Sequence, residues 1–135
     1  MEANVTGSYK DLRVWQQAMD MVIEIYEAVQ RFPRYERSGL SDQLRRAAVS
    51  VPSNIAEGKG HRSGPEFGRF LLHARGSLLE VETQIMLATR LQYIDPERSE
   101  KLLRHTSVIG RDLNALINAV APHSRSERVL QTTND

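Results

Sequence analysis

Ser50-Val51-Pro52-Ser53-Asn54-Ile55-Ala56-Glu57-Gly58 puts a proline inside a stretch whose apolar spacing is helical. Leu40, Leu44, Ala47, Val51 and Ile55 recur every three or four residues, the period of one helix face. An interior proline removes one backbone hydrogen bond and crowds the preceding turn, at a cost of about 3 kcal/mol. Something must offset that cost, so the segment is either a structural joint or the centre of a site. Ser41 is read as the N-cap of this helix, which starts within residues 38–41 and stops at Gly58.

Three further helices surround it. One runs from about Asp11 to Arg31 and stops before Pro33. It carries two apolar seams side by side: Leu12, Trp15, Met19, Val22, Tyr26 and Val29, then Val14, Ala18, Met21, Ile25, Ala28 and Phe32. A bundle helix needs one stripe. Either a monomer buries one broad stripe, or one seam faces the bundle and the other a second subunit. We assign Val14, Met21, Ile25 and Phe32 to the subunit contact. The next helix opens at Pro65 and reaches about Gln92, with Phe67, Leu71, Ala74, Leu78, Val81, Ile85 and Ala88 as its seam. Gly76 and Ser77 on it are small enough to admit a neighbouring backbone. Asp95-Pro96 opens the last helix, with Leu102, Thr106, Ile109, Leu113, Leu116 and Val120 on one face, and Pro122 closes it. Four such helices with short connections predict an all-α, antiparallel up-down-up-down four-helix bundle. The expected domain spans residues 9–121, between a flexible stretch over 1–8 and a disordered tail over 122–135.

The composition fits one soluble domain: 135 residues, 40% hydrophobic and 26% charged. No apolar run approaches the roughly 20 residues of a membrane span, and no signal pattern opens the chain, so a cytoplasmic protein without membrane contact is expected. There is no cysteine, which excludes disulfides and thiolate metal sites. Di-iron bundles need Glu-x-x-His pairs, and no glutamate has a histidine three positions on. His61, His73, His105 and His123 form neither H-x-x-x-H nor H-E-x-x-H. Neither a G-x-S-x-G elbow nor a Walker loop is present. No cofactor, metal or catalytic residue is assigned, and the expected protein is not an enzyme.

Two constellations remain. Asn54 and Glu57 sit three apart, as do Glu80 and Thr83 on the next helix. We read the four as a polar network joining the two helices; a ligand site and plain solvent exposure are the alternatives. The second constellation is electrostatic. The net charge is only +1, but residues 31–75 carry 9 basic and 4 acidic side chains. Arg45, Arg46, Lys59, Arg62, Arg69 and Arg75 are the candidate contacts to nucleic-acid phosphates. An ordinary solvated face with local ion pairs is the alternative. No aromatic residues are interleaved to stack single-stranded bases.

Three blocks carry a resemblance: Tyr9-Lys10-Asp11-Leu12-x-Val14-Trp15-Gln16-x-Ala18, Leu44-x-Arg46-Ala47-x-x-Ser50 running on through Gly58, and Ala74-Arg75-Gly76-Ser77-Leu78-x-Glu80-x-Glu82-Thr83-Gln84. With these the chain resembles the four-helix bundle proteins encoded by intervening sequences in bacterial 23S rRNA genes, over about residues 9–120. It is also similar to the accessory proteins of diversity-generating retroelements. The resemblance implies a homopentameric ring. It further implies, for the retroelement relatives, binding of a reverse transcriptase and of nucleic acid through a basic surface. The expected function is low-specificity binding of structured RNA or another nucleic acid, with a protein partner as a further expectation. A protein-interaction scaffold without a nucleic-acid role is the alternative.

Overall fold

A computed structural model describes residues 7–61 and 63–120. The expected tail over 122–135, the stop at Pro122, most of the stretch over 1–8, and Arg62 lie outside the described residues. Four helices dominate: α1 (Arg13–Val29), α2 (Leu40–Lys59), α3 (Gly64–Arg90) and α4 (Pro96–Val120). One 3-10 turn, Tyr9–Asp11, precedes α1, and another, Arg34–Glu36, lies between α1 and α2. No strand occurs among the described residues. Each helix packs on its chain neighbour and α1 closes on α4, which leaves α1 diagonal to α3. The short connections reverse the chain each time, so the molecule is a four-helix bundle. No described helix is long and apolar enough to cross a membrane.

The helix ends follow local chemistry. Ser63 caps α3 by accepting from the Glu66 amide at 3.2 Å, and Asp95 does the same for α4 through the Arg98 amide at 2.9 Å. The start of α2 differs from the sequence reading. Its N-cap is Gly39, and Ser41 is buried inside the first turn. The cap comes from upstream: Glu36 Oε1 accepts from the Leu40 amide at 3.0 Å. That carboxylate sits where a helix's positive end favours it. A Cβ on residue 39 would lie 2.7 Å from the same oxygen, which accounts for the glycine.

The core is a stack of apolar side chains from all four helices. Met21 and Ile25 of α1 meet Leu44, Val51 and Ile55 of α2, Leu71, Val81 and Ile85 of α3, and Leu102, Ile109 and Leu113 of α4, all essentially solvent-free. Among the described residues the single polar side chain at this depth, Thr106, donates to Glu82 Oε2 at 2.8 Å, so its hydroxyl is satisfied.

The two seams of α1 are divided the other way from expectation. Val14, Met21, Ile25 and Phe32 are buried within the protomer and cannot form a subunit contact. The outward positions are Met19, Ile23 and Tyr26 from the other seam and its flank, with Ile23 59% exposed. Leu12 and Val29, at the ends of that seam, turn inward.

Helix α2 runs through Pro52 without interruption. Its close approach to α3 comes nearly two turns further on. A Cβ on Gly58 would meet Phe70 Cβ at 2.7 Å and Phe67 Cδ1 at 3.0 Å. Gly76, expected at such a contact, faces open space instead. Gly58→Ala should therefore destabilise the fold by about 1–3 kcal/mol through overpacking. Gly110→Ala, where the added carbon meets only Leu78 Cδ2 at 3.5 Å, should be neutral or stabilise by up to about 1 kcal/mol. Urea unfolding of the two variants checks the pair; equal effects would contradict the assigned contact.

Candidate nucleic-acid interface

Of the six arginines and lysines nominated from sequence, the five described ones, Arg45, Arg46, Lys59, Arg69 and Arg75, do not form one patch. Arg45 and Lys59 are 14 residues apart on α2, a span of about 21 Å at the helical rise. One group therefore lies at the α1–α2 end of the bundle and the other at the α2–α3 end. Most members are already engaged. Arg46 Nε binds Asp42 Oδ2 at 2.9 Å, and Arg45 approaches the same carboxylate at 3.9 Å. Arg69 pairs with Glu66 at 2.9 Å and lies over the Phe70 ring at 4.8 Å. The hydrogen bond from Arg69 and its charge hold the Glu66 carboxyl below the usual glutamate range. Lys59 sits 5.9 Å from the Phe67 ring centre. Arg75 turns toward α4, where it donates to Asn114 Oδ1 at 3.0 Å. Exposed ion pairs of this kind contribute little to stability but do neutralise local charge.

The strongest concentration of positive charge includes two residues that sequence reading passed over. Arg34 and Arg37 flank the 3-10 turn after Pro33, are exposed, and have no acidic partner among the described residues. Together with Arg45 they line a recess of about 530 Å³ between the end of α1 and the start of α2. Arg45 is held at its wall by donating to the Arg37 carbonyl at 3.3 Å. A second recess of about 420 Å³ shares Tyr26 and Arg45 with the first and adds Arg46.

The turn that carries Arg34 and Arg37 is fixed from its opposite side. Tyr93, in the α3–α4 connection, donates to Glu36 Oε2 at 2.9 Å, and the Tyr35 hydroxyl reaches the Tyr93 oxygen at 3.2 Å. Tyr93 has one proton and gives it to Glu36, so Tyr35 is the donor to Tyr93. The Tyr35 hydrogen bond, then burial, then Glu36 raise the Tyr93 pKa above the ordinary tyrosine value. Phe32 packs against the same ring in a tilted arrangement, with centroids 5.2 Å apart. Glu36 thus caps α2 with one oxygen and ties two connections together with the other, and it forms no ion pair with Arg34 or Arg37.

The expected four-residue polar network is replaced by a smaller one. Glu57, Glu80 and Thr83 are exposed, and Thr83 bonds back to the Leu79 carbonyl at 2.8 Å. Asn54 Nδ2 instead reaches the Ser50 carbonyl at 2.8 Å and Ser50 Oγ at 2.9 Å. Ser50 Oγ meets Ser77 Oγ at 2.7 Å and carries the link across to α3. Asn54 thus serves the Ser50 carbonyl, not that of Ala48, which Pro52 deprives of its helical donor.

A second outward apolar seam lies on α3. Leu72, Leu79 and Met86 are exposed at seven-residue spacing, with Gly76 and Thr83 between them, and Leu79 is 57% exposed. This face is diagonal to the exposed face of α1.

Fold, small-residue contact and arginine-rich end define an all-helical bundle whose distinctive chemistry lies on its surface. Residues 10–115 match the model of the 23S rRNA-intervening sequence protein family. The chain belongs to that family. It is also similar to a solved protein of unknown function from the S23 ribosomal protein family of Bacteroides thetaiotaomicron, at 23% identity and a TM-score of 0.70. The alignment covers 77% of this chain and 97% of that one, and at this identity it shows a shared fold. No curated protein matches the chain.

Asn54→Ala should cost about 0.5–1.5 kcal/mol by removing the α2 side of the serine link. Glu57→Ala and Glu80→Ala should each stay within about 0.5 kcal/mol of wild type. Denaturant midpoints measure all three; a large loss at either glutamate would restore the wider network.

Proposed function

We propose that this protein is a non-enzymatic binding module that assembles into a homo-oligomeric ring and holds structured RNA through its phosphates. The observation that carries the RNA reading is the arginine-rich end. Residues 31–46 contain five arginines and two carboxylates, and one of those carboxylates, Glu36, is committed to Tyr93 and the α2 cap. Guanidinium groups without local partners are available to phosphates, and such contacts are tolerant of sequence and sensitive to salt.

The exposed seams support the ring. A two-fold contact through α1 would leave the α3 face bare, and the reverse also holds. A contact of α1 on α3 of the next copy covers both faces in every protomer, and such head-to-tail contacts make a ring when the rotation between neighbours closes. The family resemblance sets the expected number at five. Rotation about a ring axis keeps the same end of every bundle on the same rim, so the arginine ends gather there and their fields add. The Met19 and Ile23 contact lies about two to three turns below that rim. A protein-interaction scaffold without RNA is the second reading, favoured by the ion pairing of Arg46 and Arg69.

Light scattering during size exclusion should give a mass several times the 15.3 kDa protomer. Ile23→Glu or Leu79→Glu should each yield a folded monomer, since a charge at an exposed site costs the protomer little. A wild-type monomer at micromolar concentration overturns the ring. Binding to an RNA hairpin should weaken steeply with salt, and Arg34→Ala with Arg37→Ala should lower the log–log slope by about 1 per arginine. No binding at low salt overturns the RNA reading and leaves the scaffold.

A further inference from the structure

The recess at the α1–α2 end has the size and the chemistry of a ligand site. At about 530 Å³ it falls within the range of small-molecule pockets, roughly 300–1,000 Å³. Arg34, Arg37 and Arg45 stand around it, and none of its described lining residues is acidic. Asp42, the carboxylate nearest to Arg45, is drawn to Arg46 at 2.9 Å and meets Arg45 only at 3.9 Å. Ser41, in the first turn of α2, is also on the wall. Apart from Gln30, the remaining lining is apolar and aromatic, with Phe32 and Tyr26 contributing rings.

Phe32 is fixed against Tyr93, whereas Tyr26 is solvent-facing in the protomer, nearer the arginine end than the Met19 and Ile23 contact, and lies at the junction of this recess with its neighbour. A bare anion would use the arginines and leave the aromatic lining idle. A nucleoside alone would leave three cations unpaired. One ligand class uses both halves: a phosphate monoester carrying an aromatic base.

We infer that this recess is a nucleotide-binding site, with Arg34, Arg37 and Arg45 on a terminal phosphate and the base against Tyr26. The ligand is a free nucleoside monophosphate or the 5′-phosphorylated end of an RNA strand. The second source rests on the RNA reading above; the first does not. Flat bases stack on tyrosine regardless of their identity, so the site selects the phosphate and accepts any of the four bases. The Tyr35–Tyr93–Glu36 relay makes it pre-formed, because the turn bearing two of the three arginines is tied down from the other side.

Calorimetric titration of the full chain tests the site, with adenosine monophosphate, ribose 5-phosphate, adenosine and inorganic phosphate as probes. Adenosine monophosphate should bind, ribose 5-phosphate about tenfold more weakly through loss of one stacked base, and adenosine not measurably. Arg34→Ala with Arg37→Ala should lower the affinity for adenosine monophosphate by at least about tenfold. Both positions are exposed, and circular dichroism should show an unchanged fold. Lys101→Ala, at an exposed position on α4, should bind like wild type. Undetected adenosine monophosphate, equal affinity for inorganic phosphate, or no loss in the double variant each overturns the site.

A second arm separates the sources. An RNA hairpin with a 5′-phosphate should bind better than the same hairpin without it, and the double variant should erase the difference. A hairpin that binds equally well in both forms, while adenosine monophosphate binds, assigns the site to the free nucleotide. A hairpin that fails to bind at low salt, while adenosine monophosphate binds, overturns the RNA reading and keeps the site.

Discussion

A methyl group on Gly58 would stand 2.7 Å from the Cβ of Phe70, and the spacing of α2 against α3 follows from that contact. Phe70 Cβ is anchored to the backbone of α3, so no rotamer change relieves the clash. With the helices this close, the serines at 50 and 77 can meet directly at 2.7 Å, and α2 needs only small or branched residues on its inner face. Pro52 is accommodated in this setting because the turn it weakens is buried against a neighbour that holds it in place. The tight pair also fixes what must face outward. The core is filled mainly by one seam from each helix, and Met19, Ile23 and Tyr26 of α1 and Leu72, Leu79 and Met86 of α3 are left exposed on the protomer.

The helices were legible because their apolar periods are regular and their caps are local. Ser63 and Asp95 act within three residues of themselves. The division of the α1 seams was not legible. Two stripes of equal spacing on one helix carry no mark of which one meets the core. That is settled by where α2 and α4 lie. The start of α2 was missed for a related reason, since its cap belongs to Glu36, whose other oxygen bonds Tyr93, 57 residues away.

The basic site was half legible. The excess of positive charge over residues 31–75 is visible in the sequence, and it led to arginines on regular helices. On a long helix, residues a dozen or more apart in sequence end far apart, and Asp42 and Glu66, four and three residues before Arg46 and Arg69, claim those two arginines. Arg34 and Arg37 sit in a connection with no periodicity to place them. The Arg-Phe-Pro-Arg-Tyr-Glu-Arg run over residues 31–37 was the available signal: several cations around a proline-started turn, with a single acid. For the polar network, three-residue spacing put Asn54 and Glu57 on neighbouring faces, but the contact runs through Ser50, four residues before Asn54.

The account turns on the claim that the exposed face of α1 covers the exposed face of α3 on another copy. The chain contains no cysteine, so single thiols can be placed at will. Ile23→Cys and Leu79→Cys, each alone and then in one chain, treated with a short bismaleimide, read the contact directly. Head-to-tail assembly predicts that neither single variant cross-links to itself. It also predicts that a mixture of the two gives dimers, and that the doubly substituted chain gives a ladder ending at one closed species. Self-cross-linking of either single variant, or no ladder from the double, would contradict it.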